Sequence, residues 1–385
     1  MKKIVRITTV PVSLKILLKG QLRFMSQYFT MVGISSDINE MNAIAKEENI
    51  KTHTVDMTRT ISPITDLKSV YKLYKVLKKE KPDIVHSHTP KAGIVGMLAA
   101  YLVGVPIRLH TVAGLPLMEA TGTKRKVLNL VESLTYRFAT KVYPNSKGLN
   151  DFILENKFTQ PNKLKVIGNG SSNGISVKTF DPQLFSEEDN SKLKKELKIS
   201  EEDFVFIFVG RLVGDKGINE LIKAYSKVRN AHTKLLLVGG FETELDPLHE
   251  ETLQKIENIQ DIISVGFQKD VRPYFAISNT LVFPSYREGF PNVVMQAGAM
   301  GLPSIVSNIN GCNEIVIEGK NGIIVPVKDD VKLAEAMKII LTNNEEYNNM
   351  KLNARKMIVE RYEQSVVWNE LLNEYNRLLK EKSNV

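Results

Sequence analysis

The stretch FVFIFVGRLVGDKGINELI, residues 204–222, decides how this chain folds. It opens with six consecutive apolar residues, β-branched and aromatic, the signature of a strand buried on both faces. A glycine-bearing turn follows, carrying Arg211 and Lys216, and then apolar residues at helical spacing from Ile218. A buried strand feeding a helix is one βα unit, and such units in series build a parallel sheet. Working outward, the same alternation predicts further strands near 234–239, 262–266, 280–284, 303–307 and 322–325. On the other side it predicts strands near 3–9, 29–34, 51–55, 83–87, 106–111, 140–144 and 163–167, with helices such as 66–80 and 122–139. Residues 181–200, polar and charge-rich, read as a linker with a short surface helix. The chain closes on an amphipathic helix whose Val367, Trp368, Leu371, Leu372, Tyr375, Leu378 and Leu379 form one apolar stripe.

Two α/β series in 385 residues are two domains rather than one oversized sheet. The expected domains are 1–180 and 200–360, followed by the closing helix at about 362–385. One cysteine, Cys312, excludes an internal disulfide and a multi-cysteine zinc site. The basic N-terminus lacks a signal-peptide pattern, because Arg6 and Lys15 interrupt its apolar run. The uncharged run 92–107 is too short to span a bilayer and reads as a buried helix and turn. These features predict a cytoplasmic protein.

Charge separates the two series. Residues 1–180 carry 27 Lys and Arg against 12 Asp and Glu, and the remainder 25 against 31. A basic half points to an anionic partner, although the Lys72–Lys81 cluster reads as an ordinary solvated helix face. No aromatic-and-basic platform or nucleic-acid motif accompanies the charge, so nucleic acid is not the expected partner.

Ligands of parallel α/β sheets bind at the carboxyl ends of the strands. After the 204–209 strand, Gly210, Arg211 and Lys216 precede a helix N-terminus, a setting that favours a phosphate group. The spacing is neither a P-loop nor GxGxxG. After the 280–284 strand comes PSYREGFPNVVMQAGAMGLP, residues 284–303. There Glu288 lies in the loop, Pro291 and Asn292 open a helix, and Gln296 follows eight residues after Glu288. A carboxylate and an amide in that order suit sugar and ribose hydroxyls.

These segments together resemble glycosyltransferase family 4 of the GT-B superfamily. The resemblance rests on Arg211 and Lys216, on EGFP at 288–291, on the AMGLP flank, on NINGCNEIVIEGKNGIIVP at 308–326 and on VIGNGSSNGI at 166–175. It implies two Rossmann-like doubly wound domains facing across a cleft, with the C-terminal helix packing back on the first. It also implies Arg211 and Lys216 on the donor diphosphate, and Glu288 on the donor sugar. Gly210, Gly289, Phe290, Pro291, Asn292 and Gln296 complete the donor side. The second acidic residue of the family signature is Gln296 here, which removes charge from the ribose contact. The family's histidine of the N-terminal half is matched by Ala113. His88, His110 and Gly20 are therefore the acceptor-side candidates.

With no DxD motif and no clustered histidines, a metal-free reaction without cofactor is expected. The resemblance further implies retention of anomeric configuration and resembles bacterial enzymes of capsule, exopolysaccharide or O-antigen assembly. The donor is expected to be a nucleotide sugar, uridine-linked. The acceptor is expected to be a polyprenyl-diphosphate-linked saccharide at the inner face of an anionic membrane. Support for the membrane comes from Lys15, Lys19 and Arg23 beside Leu14, Ile16, Leu17 and Leu18, and from the basic, apolar stretch 114–138. A nucleotide-sugar 2-epimerase on the same scaffold and a non-catalytic nucleotide-sugar-binding protein are the alternatives.

Overall fold

Each apolar run becomes a strand because every second residue on either side is covered by a helix. In the computed structural model the first sheet contains β1 (Lys3–Ile7), β2 (Thr30–Ser35), β3 (Lys51–Thr54), β4 (Ile84–His88), β5 (Ile107–Val112) and β6 (Lys141–Pro144). The second contains β7 (Phe204–Val209), β8 (Thr233–Val238), β9 (Ile262–Ser264), β10 (Thr280–Phe283), β11 (Ser304–Ser307) and β12 (Gly322–Val325). The structure describes residues 1–58, 62–118, 120–242, 244 and 246–383. Glu119, within the basic 114–138 stretch, and the last two residues of the closing segment lie outside it.

All strand pairs are parallel, in the orders β3-β2-β1-β4-β5-β6 and β12-β11-β10-β7-β8-β9. Both orders reverse direction once, beside β1 and β4 in the first sheet and beside β7 and β10 in the second. Such switch points open a ligand crevice at the strands' carboxyl ends. The chain divides into two units, Met1–Gly174 with Gln364–Val385, and Ile175–Glu363. Two six-stranded parallel sheets with covering helices are the doubly wound pair expected from the sequence.

Two differences from the expectation have local causes. Residues 163–167 form no strand. A 3-10 turn at Pro161–Lys163 and positive φ at Gly168 and Gly170 bend the segment, leaving one bridge from Leu164 to Val142. The 181–200 segment does contain a short helix, Glu187–Glu196, but it is packed rather than free. Ile199 is buried, and Phe180, Phe185 and Leu193 lie against the core of the second unit. Arg355 fastens this segment by donating to the carbonyls of Val177 and Phe180 and to the Asp181 carboxylate.

In the first unit the closing helix Gln364–Ser383 covers one face of the sheet. Leu371, Leu372, Tyr375 and Leu378 join Ile4, Ile84, Ile107, Leu109 and Tyr143 in one buried cluster. Trp368 lies against Phe24 with ring centroids 5.3 Å apart and donates its indole N–H to Asn173 Oδ1 at 2.7 Å. The tryptophan is thus a packing residue.

A buried carboxyl in the helix Gly122–Phe138 leads to an expected pH dependence of stability. Glu132 is 5% exposed, and both its Oε2 and the Tyr136 hydroxyl lack a well-directed partner. Burial pushes its carboxyl up to about 7. The folded chain therefore holds this proton more tightly than the unfolded one. Stability should fall as pH rises from the ordinary carboxyl range through about 7, then level off. Glu132→Gln is expected to raise stability by about 1–3 kcal/mol at pH 8 and by almost nothing at pH 4.5, measured by denaturant titration at both pH values.

Candidate active site

The carboxyl ends of β7 and β10 adjoin the switch point of the second sheet, and their loops bring Arg211, Lys216 and Glu288 into one unit. Gly217 ends the turn in the left-handed region, at φ +70°, and a Cβ there would stand 2.2 Å from the Pro284 carbonyl oxygen. Only glycine lets the 214–217 turn touch the 284–288 loop. The Tyr286 N–H donates to the Asp215 carbonyl at 2.9 Å, and Arg287 holds the Asp215 carboxylate at 2.7 Å. The two loops therefore form one surface.

Within it, the Lys216 ammonium meets Glu288 Oε1 at 2.5 Å, and both side chains are under one-fifth exposed. Ser285 Oγ donates to the same oxygen at 3.1 Å. Asn310 Nδ2 donates to the Glu288 and Gly289 carbonyls at 3.1 and 2.7 Å. Gly311 makes this approach possible, because a Cβ would lie 2.6 Å from the Gly289 carbonyl. Beneath Lys216, the rings of Phe208 and Phe283 stack at 5.9 Å. Arg211 is 57% exposed at the rim and pairs with Glu242. A carboxylate thus faces each of the two cations.

The remaining donor-side candidates occupy the same region. Gly210 directly follows β7 and donates its N–H to the Val238 carbonyl. Phe290 packs edge-on against Tyr362, at 5.4 Å. Pro291 is buried ahead of the helix Asn292–Ala299, and Asn292 is exposed on its first turn. Gln296 is half-buried on that helix. The small residues after it serve helix packing, since a Cβ on Gly298 would meet Ile358 at 2.6 Å. Cys312 is fully buried, and desolvation with the nearby Glu288 charge pushes its thiol well up. It is an inert packing group.

Sequence reasoning missed Ser285, Asp215, Glu242 and Asn310. Asn310–Gly311 had a turn signature, but the partners of the others depend on which loops meet.

The acceptor-side candidates of the first unit have other surroundings. His88 ends β4, 4% exposed, and accepts from Arg6 Nη2 through Nε2 at 2.6 Å, since a guanidinium cannot accept. With Thr111 and Asn145 it lines a cavity of about 20 Å³, room for a single water. Burial and the Arg6 charge push His86 and His88 well below the usual imidazole range. His110 lies inside β5, paired with Ser87 Oγ at 2.9 Å and beneath Gly93, which has no Cβ to collide with its ring. Gly20 donates its N–H to Glu48 and is covered by Trp368. Of the three, His88 is the one that lines this cavity. Among the described residues, no group of three or more His, Cys, Asp or Glu is placed to hold a metal. Nor is any of their helices long and apolar enough to cross a membrane.

Known proteins match over the whole chain. Residues 189–357 match the family described as glycosyl transferases group 1, and residues 40–170 the glycosyl transferase 4-like domain. The capsular polysaccharide biosynthesis glycosyltransferase CapM of Staphylococcus aureus is 35% identical, over 99% of this chain and 98% of its own. The UDP-Gal:alpha-D-GlcNAc-diphosphoundecaprenol alpha-1,3-galactosyltransferase of Escherichia coli is 31% identical, over 90% and 91%. Among solved structures, Anabaena HepE in complex with UDP superposes with a TM-score of 0.81 at 19% identity, over 98% of this chain and all of that one. The chain belongs to the group 1 glycosyltransferases and is a glycosyltransferase of GT-B fold.

Proposed function

We propose that the protein transfers a hexose or N-acetylhexosamine from a uridine-diphosphate sugar to a polyprenyl-diphosphate-linked saccharide in bacterial surface-polysaccharide assembly. The observation that carries this reading is the Lys216–Glu288 pair on the joined loops after β7 and β10, with Arg211 at the start of the first of those loops. The CapM and galactosyltransferase names support the pathway, and the latter also supports donor and acceptor class.

In this reading Arg211 and Lys216 hold the donor diphosphate and offset the charge that builds on it as the glycosidic C–O bond breaks. Glu288, oriented by Ser285 and by the Asn310 clamp on its backbone, accepts from hydroxyls of the donor sugar. Gln296 serves the ribose through neutral hydrogen bonds. The acceptor oxygen forms its bond to the anomeric carbon on the face the leaving group departs from, so configuration is retained. Its proton passes to the departing phosphate oxygen. The two cations supply the charge that a metal would otherwise bring, so the reaction proceeds without one.

The acceptor belongs to the basic first unit. Ile16 and Leu17 are exposed next to Lys15, as are Met118, Val127 and Leu130 near Lys124, Arg125 and Lys126. Apolar and cationic surface together suits an anionic membrane. Transfer onto an acceptor presented in anionic vesicles, weakened by added salt, is the check on this surface.

Thermal shift against UDP-, GDP- and ADP-sugars tests the donor. UDP-sugars should raise the melting temperature most, because a ligand bound only by the folded chain stabilises it. Equal shifts for all three, or none, would remove the uridine assignment.

A further inference from the structure

Arg211 does not stand free at the rim. The loop after β8 runs beside it: Leu212 donates its N–H to the Gly240 carbonyl at 2.9 Å, and Leu212 and Phe241 form a parallel bridge. Glu242 thereby arrives against the Arg211 guanidinium. Farther along, Asp246 fastens the same turn, accepting from the Asp215 N–H through its carboxylate at 2.6 Å and from the Gly214 N–H through its carbonyl at 3.3 Å. The two acidic residues differ in setting. Asp246 binds backbone and shapes the turn. Among the described residues Glu242 binds the cation alone, in a pair whose guanidinium is 57% exposed.

An exposed pair of this kind contributes little to stability and exchanges readily for another anion. The chemistry supplies a reason for one here. Transfer breaks the bond between the anomeric carbon and the diphosphate. The proton received by the freed phosphate oxygen then ionises to water, as a phosphate with a second pKa of about 6 does near neutral pH, so the nucleoside diphosphate carries more negative charge than the nucleotide sugar had. Two cations that hold the donor would hold that product more tightly still.

We infer that Glu242 is an internal anion that competes with the diphosphate for Arg211, setting nucleotide affinity and speeding release of the nucleoside diphosphate product. The inference rests on Arg211 being a diphosphate contact. It makes a prediction opposite in sign to that of a purely structural loop residue, whose loss would loosen the site and weaken binding.

The experiment is calorimetric titration of the full-length protein with UDP and with inorganic pyrophosphate, for wild type, E242Q, R211A and the double variant. E242Q should bind both ligands roughly 2- to 5-fold more tightly, the range an exposed ion pair represents. It should also show slower turnover with stronger product inhibition. In the R211A background, E242Q should change nothing. If R211A weakens both ligands while E242Q binds them no better than wild type, the role of Glu242 is overturned. If R211A leaves both affinities unchanged, the donor-site reading falls, and the inference with it.

Discussion

Glu288→Gln is expected to lower the transfer rate by roughly 10²- to 10³-fold, while nucleoside diphosphate affinity changes by less than about 3-fold. The substitution keeps the shape of the side chain and removes its charge. In the proposed reading this carboxylate touches the donor sugar, where charge develops, whereas the diphosphate is held by Arg211 and Lys216. Its loss should therefore appear in kcat rather than in nucleotide binding. Glu288 is anchored through Ser285 Oγ and, on its backbone, through Asn310, so the loop should keep its course without the charge. Lys216 loses its 2.5 Å partner and becomes more available to a phosphate. Steady-state kinetics with UDP titration on the same preparation checks both halves. Full activity in Glu288→Gln would remove this residue from the chemistry.

The second large effect concerns stability. Tyr375→Phe should destabilise the first unit by about 2–4 kcal/mol, because it leaves two buried polar groups without partners. Arg6 is completely buried, and among the described residues no carboxylate pairs with it. Its Nη1 donates to the Tyr375 hydroxyl at 2.7 Å, and its Nη2 to Gln21 Oε1 at 2.7 Å and to His88 Nε2. Since the guanidinium only donates, the Tyr375 hydroxyl accepts from it and donates to His86 Nδ1 at 2.6 Å. His86 Nε2 then donates to Thr111 Oγ1 at 2.7 Å. A neutral tyrosine, glutamine and two neutral histidines thus replace the counterion a buried cation usually has. Removing one hydroxyl interrupts the chain at its centre and loosens the closing helix that carries it. Hydrogen exchange in Gln364–Ser383 should rise together with the fall in denaturation midpoint. Unchanged exchange and stability would mean that water replaces the hydroxyl without loss.

Much of this architecture was legible in the chain itself. Runs such as FVFIFV at 204–209 and LLLV at 235–238 are too apolar and too short for anything but buried parallel strands, and their spacing leaves room for one helix each. The segment at 163–167 misled because its apolar residues look like a seventh strand, while Pro161, Gly168 and Gly170 bend it away. Arg211, Lys216 and Glu288 could be singled out because each lies in a loop that begins at a strand end. The Arg6 network was invisible, since Arg6 and Tyr375 are separated by 369 residues and neither has a motif. Glu242 was hidden for the same reason. An acidic residue in a polar loop looks like solvated surface until the loop is seen to lie along residues 211–213.

The most direct test of the proposed function is transfer of radiolabelled sugar from a panel of UDP-, GDP- and ADP-sugars to a polyprenyl-diphosphate N-acetylhexosamine in anionic vesicles. The account predicts label in the lipid fraction from a UDP-sugar, with the donor's anomeric configuration retained, without added metal, and diminished by salt. Conversion of the nucleotide sugar to its C2 epimer with no acceptor present, and no label in lipid from any donor, would contradict it.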